Sequence, residues 1–463
     1  MEEMVEQIEL LLEQGDERQL KDYLDNLNIS DVEELIGELP EHGPKFIETL
    51  TVNRAVNVFR ILDFPTQERI LKKLSGKKVT EIITELPPDD RTALFSEMHG
   101  DTVSKLIQHL SAADRKEALA LLGYEEYSVG RLMTPDYIAV KRSWDVERVL
   151  QHIRQYGKNS ETIDVIYVVG DKGVLLDDIR IREILLVDPS TKISELMDGR
   201  MIALNASDPQ EDAINVFRMN NRTALPVTDA DNTLLGIVTV DDILWIANEE
   251  YTEDIQKMGG QEALDEPYLD INLFKLVKKR VGWLIILFLS EMLTSTAMQY
   301  FNDEIAVVIQ LTFFIPLIMS SGGNSGSQAS TLIVQAMALG EVTLADWWRV
   351  MRREILSGLM LGSILGIIGF FRIVFWAEYI SPIYGPHWLL IAFTIGFSLI
   401  GIVLWGSLAG SMLPIIMKRL KLDPATSSAP FVATLVDVTG LIIYFNVALI
   451  VMHSVFSSAH VHH

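Results

Sequence analysis

Asp437 is the residue in this sequence best suited to do chemistry. It lies in a run from Ala425 to Met452 that contains no Lys or Arg, and that is long and apolar enough to cross a bilayer, which takes about 20 residues. Its neighbours are Phe431, Val432, Leu435, Val436, Leu441 and Ile442. A carboxylate in hydrocarbon costs about 2.5–3.5 kcal/mol on insertion scales, so it faces a cavity, a pathway or a partner group. Two readings follow: a protonated Asp bonded to a neighbouring helix, or a ligand on a cation path. Pro430 favours the path, because a proline inside the helix would free the carbonyl of Thr426, and free carbonyls at membrane depth line water. Small residues (Ala429, Ala433, Thr434, Gly440) recur at helical spacing and allow backbones to approach closely. Glu291, in an earlier apolar run, is a second candidate carboxylate.

Five apolar segments must position these groups, at about 281–300, 305–339, 355–377, 387–417 and 425–455. Lys275, Lys278, Lys279 and Arg280 precede the first; Arg349, Arg352 and Arg353 lie in the second connection; Lys418, Arg419 and Lys421 lie in the fourth. The other connections (YFNDE and AEYISPIYGPH) and the tail have no Lys or Arg. The positive-inside rule then expects a cytoplasmic amino-terminal body and an external carboxyl end. The second segment contains Pro316 and SSGGNSGSQAS, which predicts a break at membrane depth. Asn324 sits in that break, where its amide could bond an ion's water or a freed carbonyl. No Lys-Ser/Thr follows the glycines, so this is not a phosphate-binding loop.

The charge is divided. Residues 1–270 hold 54 acidic and 28 basic side chains (net −26), whereas 271–463 hold 9 and 11 (net +2). An acidic body repels nucleic acid and attracts cations. The absence of Cys excludes disulfides, thiolate zinc sites and thiol catalysis. The start, MEEMVEQIEL, lacks the basic and apolar regions of a secretory signal. Residues 1–125 read as helices, with a capping box at Ser30-x-x-Glu33. FPTQERILKKL, LPPDDRTALFSEM and LSAADRKEALALL repeat at 22 to 24 residues, which suggests a superhelix of α-hairpins.

From 126 to about 250 a strand–helix pattern occurs twice. The second copy, TALPVTDADNTLLGIVTVDDIL, resembles a CBS module closely. The first resembles one less closely, with VLLDDIR where a Gly-Val-x-Ser strand is expected. An acidic helix, Asp241–Met258, follows, with Glu249, Glu250, Glu253 and Asp254 along it.

In this order, with PLIMSSGGNSGSQAS, MLPIIMKRLKLDPA, FVATLVDVTGLIIYF and EEYTEDIQKMGG, the whole chain resembles the MgtE family of magnesium channels. The resemblance implies a multidomain membrane protein: an all-α superhelical domain (1–125), an α/β tandem CBS pair (126–190 and 191–246), an acidic plug helix (247–270) and a five-helix transmembrane domain (271–463). It implies a homodimer in a lipid bilayer, of the bacterial cytoplasmic-membrane type, with Asp437 of each chain at the ion site. Ala433 would contribute its backbone, and Ala429 would stand where the family often has Asn. Mg²⁺ would be both cargo and regulator. Sensor ligands carried over are Asp89, Glu211, Asp242, Glu250, Glu253 and Asp254, with Asp90 and Glu249 as neighbours. Asn57, Ala93, Asn221 and Trp245 occupy positions where relatives can have carboxylates. An adenine nucleotide in the CBS pair is also implied, with Arg222 standing where an aromatic could stack.

Elementary chemistry agrees with Mg²⁺. The ion prefers octahedral oxygen and sheds water reluctantly, so its pore needs few direct ligands. Zinc or copper would prefer His or Cys, and neither lies near Asp437. Two further classes are open at this point: a proton- or sodium-coupled divalent-cation exporter using Asp437 and Glu291, and a CBS-regulated membrane enzyme. Five segments argue against an inverted-repeat carrier. Against the enzyme, no nucleophile–base pair or metal triad is evident.

Overall fold

The computed structural model describes residues 2–460 other than Asp265, Pro267 and Asp270. It divides into two compact units, Met1–Asn248 and Glu249–His463.

The first unit opens with short helices running from Glu2–Gln14 to Ala112–Leu121. The three repeat copies form the helices Phe64–Lys73, Pro88–Glu97 and Ala112–Leu121. Their starts explain themselves. Proline occupies the first turn of the first two, where a missing N–H costs nothing, and Ser111 Oγ accepts from Asp114 N at 3.2 Å in the third. The expected box at Ser30 and Glu33 is displaced. The helix begins at Ile29, and Asp31 accepts from the backbone N–H of Asn28 at 3.1 Å. Packing joins alternate helices (Ile29–Glu38 to Val52–Arg60, and that to Gly76–Glu85), so side chains such as Leu35, Phe46, Phe59 and Ile82 share one core.

Two three-stranded sheets follow, β1 (Ala139–Lys141), β2 (Val165–Val169) and β3 (Leu175–Arg180), then β4 (Leu204–Asn205), β5 (Ala224–Thr228) and β6 (Leu234–Thr239). In each sheet the first pair is parallel and the second antiparallel. The unbroken apolar runs VIYVV and ALPVT become the central strands because both their faces are covered. Val165, Tyr167 and Leu175 of one sheet share a core with Ala224, Leu234 and Ile237 of the other. The helix Val240–Met258 leaves β6 directly.

The second unit contains five long helices: Leu273–Tyr300, Ile315–Ala338, Trp347–Tyr379, Trp388–Arg419 and Ala429–Val451. Four of these regions are apolar enough by composition to span a membrane; Ile315–Ala338, rich in Gly and Ser, is not among them. Trp388–Arg419 packs against Ile315–Ala338, Trp347–Tyr379 and Ala429–Val451.

Two expectations are corrected here. SSGGNSGSQAS does not break the chain but lies inside the continuous helix Ile315–Ala338, and the interruption falls earlier, in the 3₁₀ turn Ile309–Phe314 before Pro316. Glycines alone would weaken this helix, but tight packing holds it. A Cβ on Gly410 would meet Gly326 O at 2.1 Å, one on Gly406 would meet Gly322 O at 2.5 Å, and one on Gly322 would meet Ile402 Cγ2 at 2.5 Å. Pro430, likewise, does not interrupt a helix. It sits in the first turn of Ala429–Val451, where Ser428 Oγ accepts from Phe431 N at 3.3 Å.

Candidate functional site

The half-buried Asp437 lies in the middle of Ala429–Val451. Its helix runs against the glycine face of Ile315–Ala338. A Cβ on Gly323 would stand 3.3 Å from Ala433 Cβ and 3.7 Å from Asp437 Oδ1. Gly323 thus leaves open the space beside the carboxylate. The serines of the same helix bind the chain entering the Asp437 helix: Ser327 Oγ donates to Ala429 O at 3.0 Å and Ser330 Oγ to Ser427 O at 2.9 Å. Ala429's carbonyl is therefore already engaged.

Asn324 is exposed, with Nδ2 donating to Ser320 Oγ at 3.3 Å. It belongs to a stripe that composition alone did not reveal. Ser320, Asn324, Gln328, Thr331 and Gln335 are all exposed and recur at three- and four-residue steps, so they form one uncharged polar face of Ile315–Ala338. Reading the Gly/Ser run as a helix would have found it. Glu291, also exposed, lies on Leu273–Tyr300, which packs against the Asp437 helix.

The end of the acidic helix is fastened to the start of the Asp437 helix. Lys257 Nζ pairs with Asp423 Oδ2 at 2.7 Å and with Glu253. Asp423 Oδ1 accepts from Ala425 N at 2.8 Å, and Trp283 Nε1 donates to Ser428 Oγ at 3.1 Å. Gly260, at φ +75°, has no room for a side chain. An added Cβ would be 2.7 Å from Trp283 Nε1 and 3.3 Å from Pro430 Cγ. Burial and the nearby Asp423 push the Asp254 carboxyl up to about 6. Glu249, Glu250 and Glu253 lie on the same stretch of helix.

In the first unit, a second group of carboxylates converges. Asp89 is 5 % exposed, and neither of its carboxylate oxygens has a hydrogen-bond partner. Burial and the charges of Asp242 and Asp90 hold its carboxyl well above the usual range. Asp90 pairs with Arg60, whose Nη2 also reaches Glu161 Oε1 at 3.2 Å. Burial raises Asp90 to about 6 against the pull of Arg60. Asp242 accepts from Thr239 Oγ1 at 2.7 Å and is raised to about 7, chiefly by burial. Sequence reasoning found Asp89, Asp90 and Asp242; Arg60 and Glu161 carried no local signal, being distant in the chain. Glu211 is exposed in the first turn of Gln210–Asn220. Asn57 bonds Asn53, Asn221 caps a helix at φ 48°, and Trp245 is exposed. Among the described residues, no three His, Asp or Glu side chains form a ready metal cage.

In the CBS pair, Arg222 Nη1 is tied to Asp178 Oδ2 at 2.7 Å. The buried Tyr167 hydroxyl beside them has no partner.

Comparison with known proteins gives matches across these parts. A family model described as a divalent cation transporter matches residues 315–447, one described as the MgtE intracellular N domain matches 27–127, and the CBS domain matches 129–190 and 193–248. The magnesium transporter MgtE of Thermus thermophilus is 35 % identical over 458 residues, covering 98 % of this chain and 100 % of that protein. That of Bacillus subtilis is 27 % identical over 454 residues, covering 98 % of each. A crystal structure of the cytosolic domain of the Mg²⁺ channel MgtE in complex with ATP superposes with a TM-score of 0.51 at 32 % identity, covering 52 % of this chain and 99 % of that one.

Proposed function

Because this chain belongs to the MgtE family of magnesium transporters, which are not enzymes, we propose that it is a Mg²⁺ channel that closes when Mg²⁺ is plentiful inside. The observation that carries this reading is the half-buried Asp437 beside the Gly323 gap of a helix whose exposed face is the polar stripe Ser320–Gln335. A polar helix face among apolar helices belongs beside water or protein rather than lipid. Among the described residues of one chain nothing covers that face, which favours a homodimer with the pore between the two copies.

Two Asp437 carboxylates would then supply about two negative charges without stripping the ion's water, as a hydrated octahedral cation requires. Asn324 would bond that water, and Ala433 would contribute by its backbone. The Ala429 carbonyl, with one lone pair taken by Ser327, has one left to offer and is the weaker backbone ligand.

The amino-terminal body acts as the sensor. Asp89, Asp90 and Asp242 repel one another, and a bound Mg²⁺ relieves that repulsion; Glu211 adds charge nearby in the chain. On the acidic helix, Glu249, Glu250, Glu253 and Asp254 provide further carboxylates beside the Lys257–Asp423 tie, which holds the helix end at the start of the Asp437 helix. We take the domain limits to lie at about 125, 190, 246 and 270. With Ile315–Ala338 as the fifth span the two ends fall on opposite sides of a bacterial-type cytoplasmic membrane, and the basic connections put the body on the cytoplasmic side and the carboxyl end outside.

An adenine nucleotide fits poorly at Arg222. The guanidinium that would face the base is held by Asp178, so a flat aromatic platform for the base is missing there. No step of the proposed mechanism uses a nucleotide.

The test is ²⁸Mg²⁺ or dye-reported flux into liposomes, with and without a proton gradient. Wild type should conduct without a gradient, and Asp437→Ala should abolish flux while leaving a folded dimer. Normal flux through that variant overturns the ion site. Proton movement coupled to the metal would replace the channel with an exchanger.

A further inference from the structure

The helix Trp347–Tyr379 carries a surface that the transport reading leaves unused. One face is committed to Trp388–Arg419: Gly358, Gly362 and Gly366 lie so close to it that added Cβ atoms would fall 2.9 Å from Leu404 Cα, 2.8 Å from Ile400 Cα and 2.7 Å from Gly396 O. The opposite face is uncovered from end to end, and its chemistry changes along its length. Arg349, Arg352 and Arg353 are exposed on the first turns, and none makes an ion pair among the described residues. Trp347 and Trp348, exposed beside them, have rings 5.6 Å apart. Further along the same face come Leu356 and Met360, both exposed.

Spacings of three and four residues put 349, 352, 353, 356 and 360 on one stripe. A cationic start, paired indoles and an apolar continuation match one molecule, a phospholipid. Its phosphate meets guanidinium groups that bind it bidentately. Its chains lie along Leu356 and Met360, while Trp347 and Trp348, which precede the arginines, flank the site at its outer, headgroup end. We propose that this stripe is a binding site for an anionic phospholipid of the leaflet that meets the basic connections. A phospholipid is favoured over a second copy of the chain, because three guanidinium groups on one stripe, none ion-paired among the described residues, would meet the same cationic stripe across a symmetric contact. Lys418 and Arg419 close the partner helix of this pair, and Val350 and Ile415 share a core at that end, so with Asp346 and Glu354 counted beside the arginines the end still carries net positive charge.

Native mass spectrometry of the full-length protein tests this. The protein would be exchanged into detergent with equal amounts of phosphatidylglycerol and phosphatidylcholine of matched chains. Wild type should retain the anionic lipid preferentially. A basic residue near an anionic surface is worth about a fivefold preference, so R352Q/R353Q should lose about 30-fold of it, and R352K/R353K should keep most. Equal retention of both lipids by wild type, or an unchanged preference in R352Q/R353Q, overturns the site. Should R352Q/R353Q not fold, the wild-type protein decides the matter alone. Raising the salt from 0.1 to 1 M shortens the screening length from about 10 Å to 3 Å, so the preference should shrink, and a salt-independent preference refutes the headgroup contact. Inorganic phosphate at millimolar concentration should leave the lipid in place. If phosphate displaces it, the apolar half of the stripe contributes nothing and the phospholipid assignment falls.

Discussion

A carboxylate and an amide carry the proposed pathway, and each makes a separable contribution. Asn324→Leu removes one hydrogen-bonding group from an exposed polar face without touching the packed glycines. Flux should fall about tenfold, the equivalent of one hydrogen bond worth about 1.4 kcal/mol, while the Mg²⁺ concentration that closes the channel stays unchanged. Liposome flux at several Mg²⁺ levels checks both. The sensor carboxylates respond to protons as well as cations. Asp90 at about 6, Asp242 at about 7 and the raised Asp89 all lie above the unfolded carboxylate value, so the folded body binds more protons than the unfolded chain. Their contribution is most favourable at low pH and is lost as pH rises from about 4 through 7. In chelator, thermal unfolding of the soluble body within the full-length protein should shift down by several degrees between pH 5.5 and 8, and Mg²⁺ should restore it at pH 8. An opposite slope would show that these groups are paired rather than frustrated. Asp89 was named only through the family resemblance, since two carboxylates at a helix start are ordinary there, and Arg60 and Glu161 were not named at all, since only folding brings residues so far apart in sequence to one place.

At the scale of elements, the link between the acidic helix and the Asp437 helix rests on a few contacts. Lys257 and Asp423 are both partly exposed, so their pair is worth about 0.5–1 kcal/mol. Lys257→Met should therefore leave the fold intact and raise opening at high Mg²⁺ by about two- to fivefold, read as single-channel open probability. An unchanged open probability would mean that the packing of Gly260 on Trp283 and Pro430 holds the helix by itself. The acidic helix was readable from its charges and ends where EDIQKMGG indicates. The Gly/Ser helix was misread because intrinsic propensity argues against it. Glycine is permitted there by what stands opposite, Gly406, Gly410, Ile402 and Val436, and no local rule reports a neighbour 80 residues away. The same misreading hid the polar stripe, since a helical face exists only once the helix is granted.

For the whole molecule, the division of charge is the property with the widest effect. The net −26 of residues 1–270 sits in a body where the buried Asp89 carboxylate makes no hydrogen bond and Asp90 and Asp242 crowd it, so bound Mg²⁺ should stabilise it at about 10⁻⁴–10⁻³ M, the range of weak carboxylate sites. Removing residues 1–125 discards Asp89, Asp90 and Arg60 while keeping Asp242. The truncated channel should need several-fold more Mg²⁺ to close. If both forms close over the same Mg²⁺ range, the helical domain takes no part in sensing and the acidic helix carries it. The order of parts was readable because composition changes sharply at each boundary, whereas the seams inside each part were not. One of those seams bears on motion. Where Gly322 and Gly326 meet Gly406 and Gly410, two helices touch backbone to backbone, and the Ile402 side chain seated on Gly322 and the Ser325–Ser407 hydroxyl pair at 2.8 Å fix their register. Such a seam is keyed along its length. Sliding one helix past the other would drive Ile402 into the next residue and part the two hydroxyls. The two helices therefore move as one piece, and a gate built beside them shifts both together.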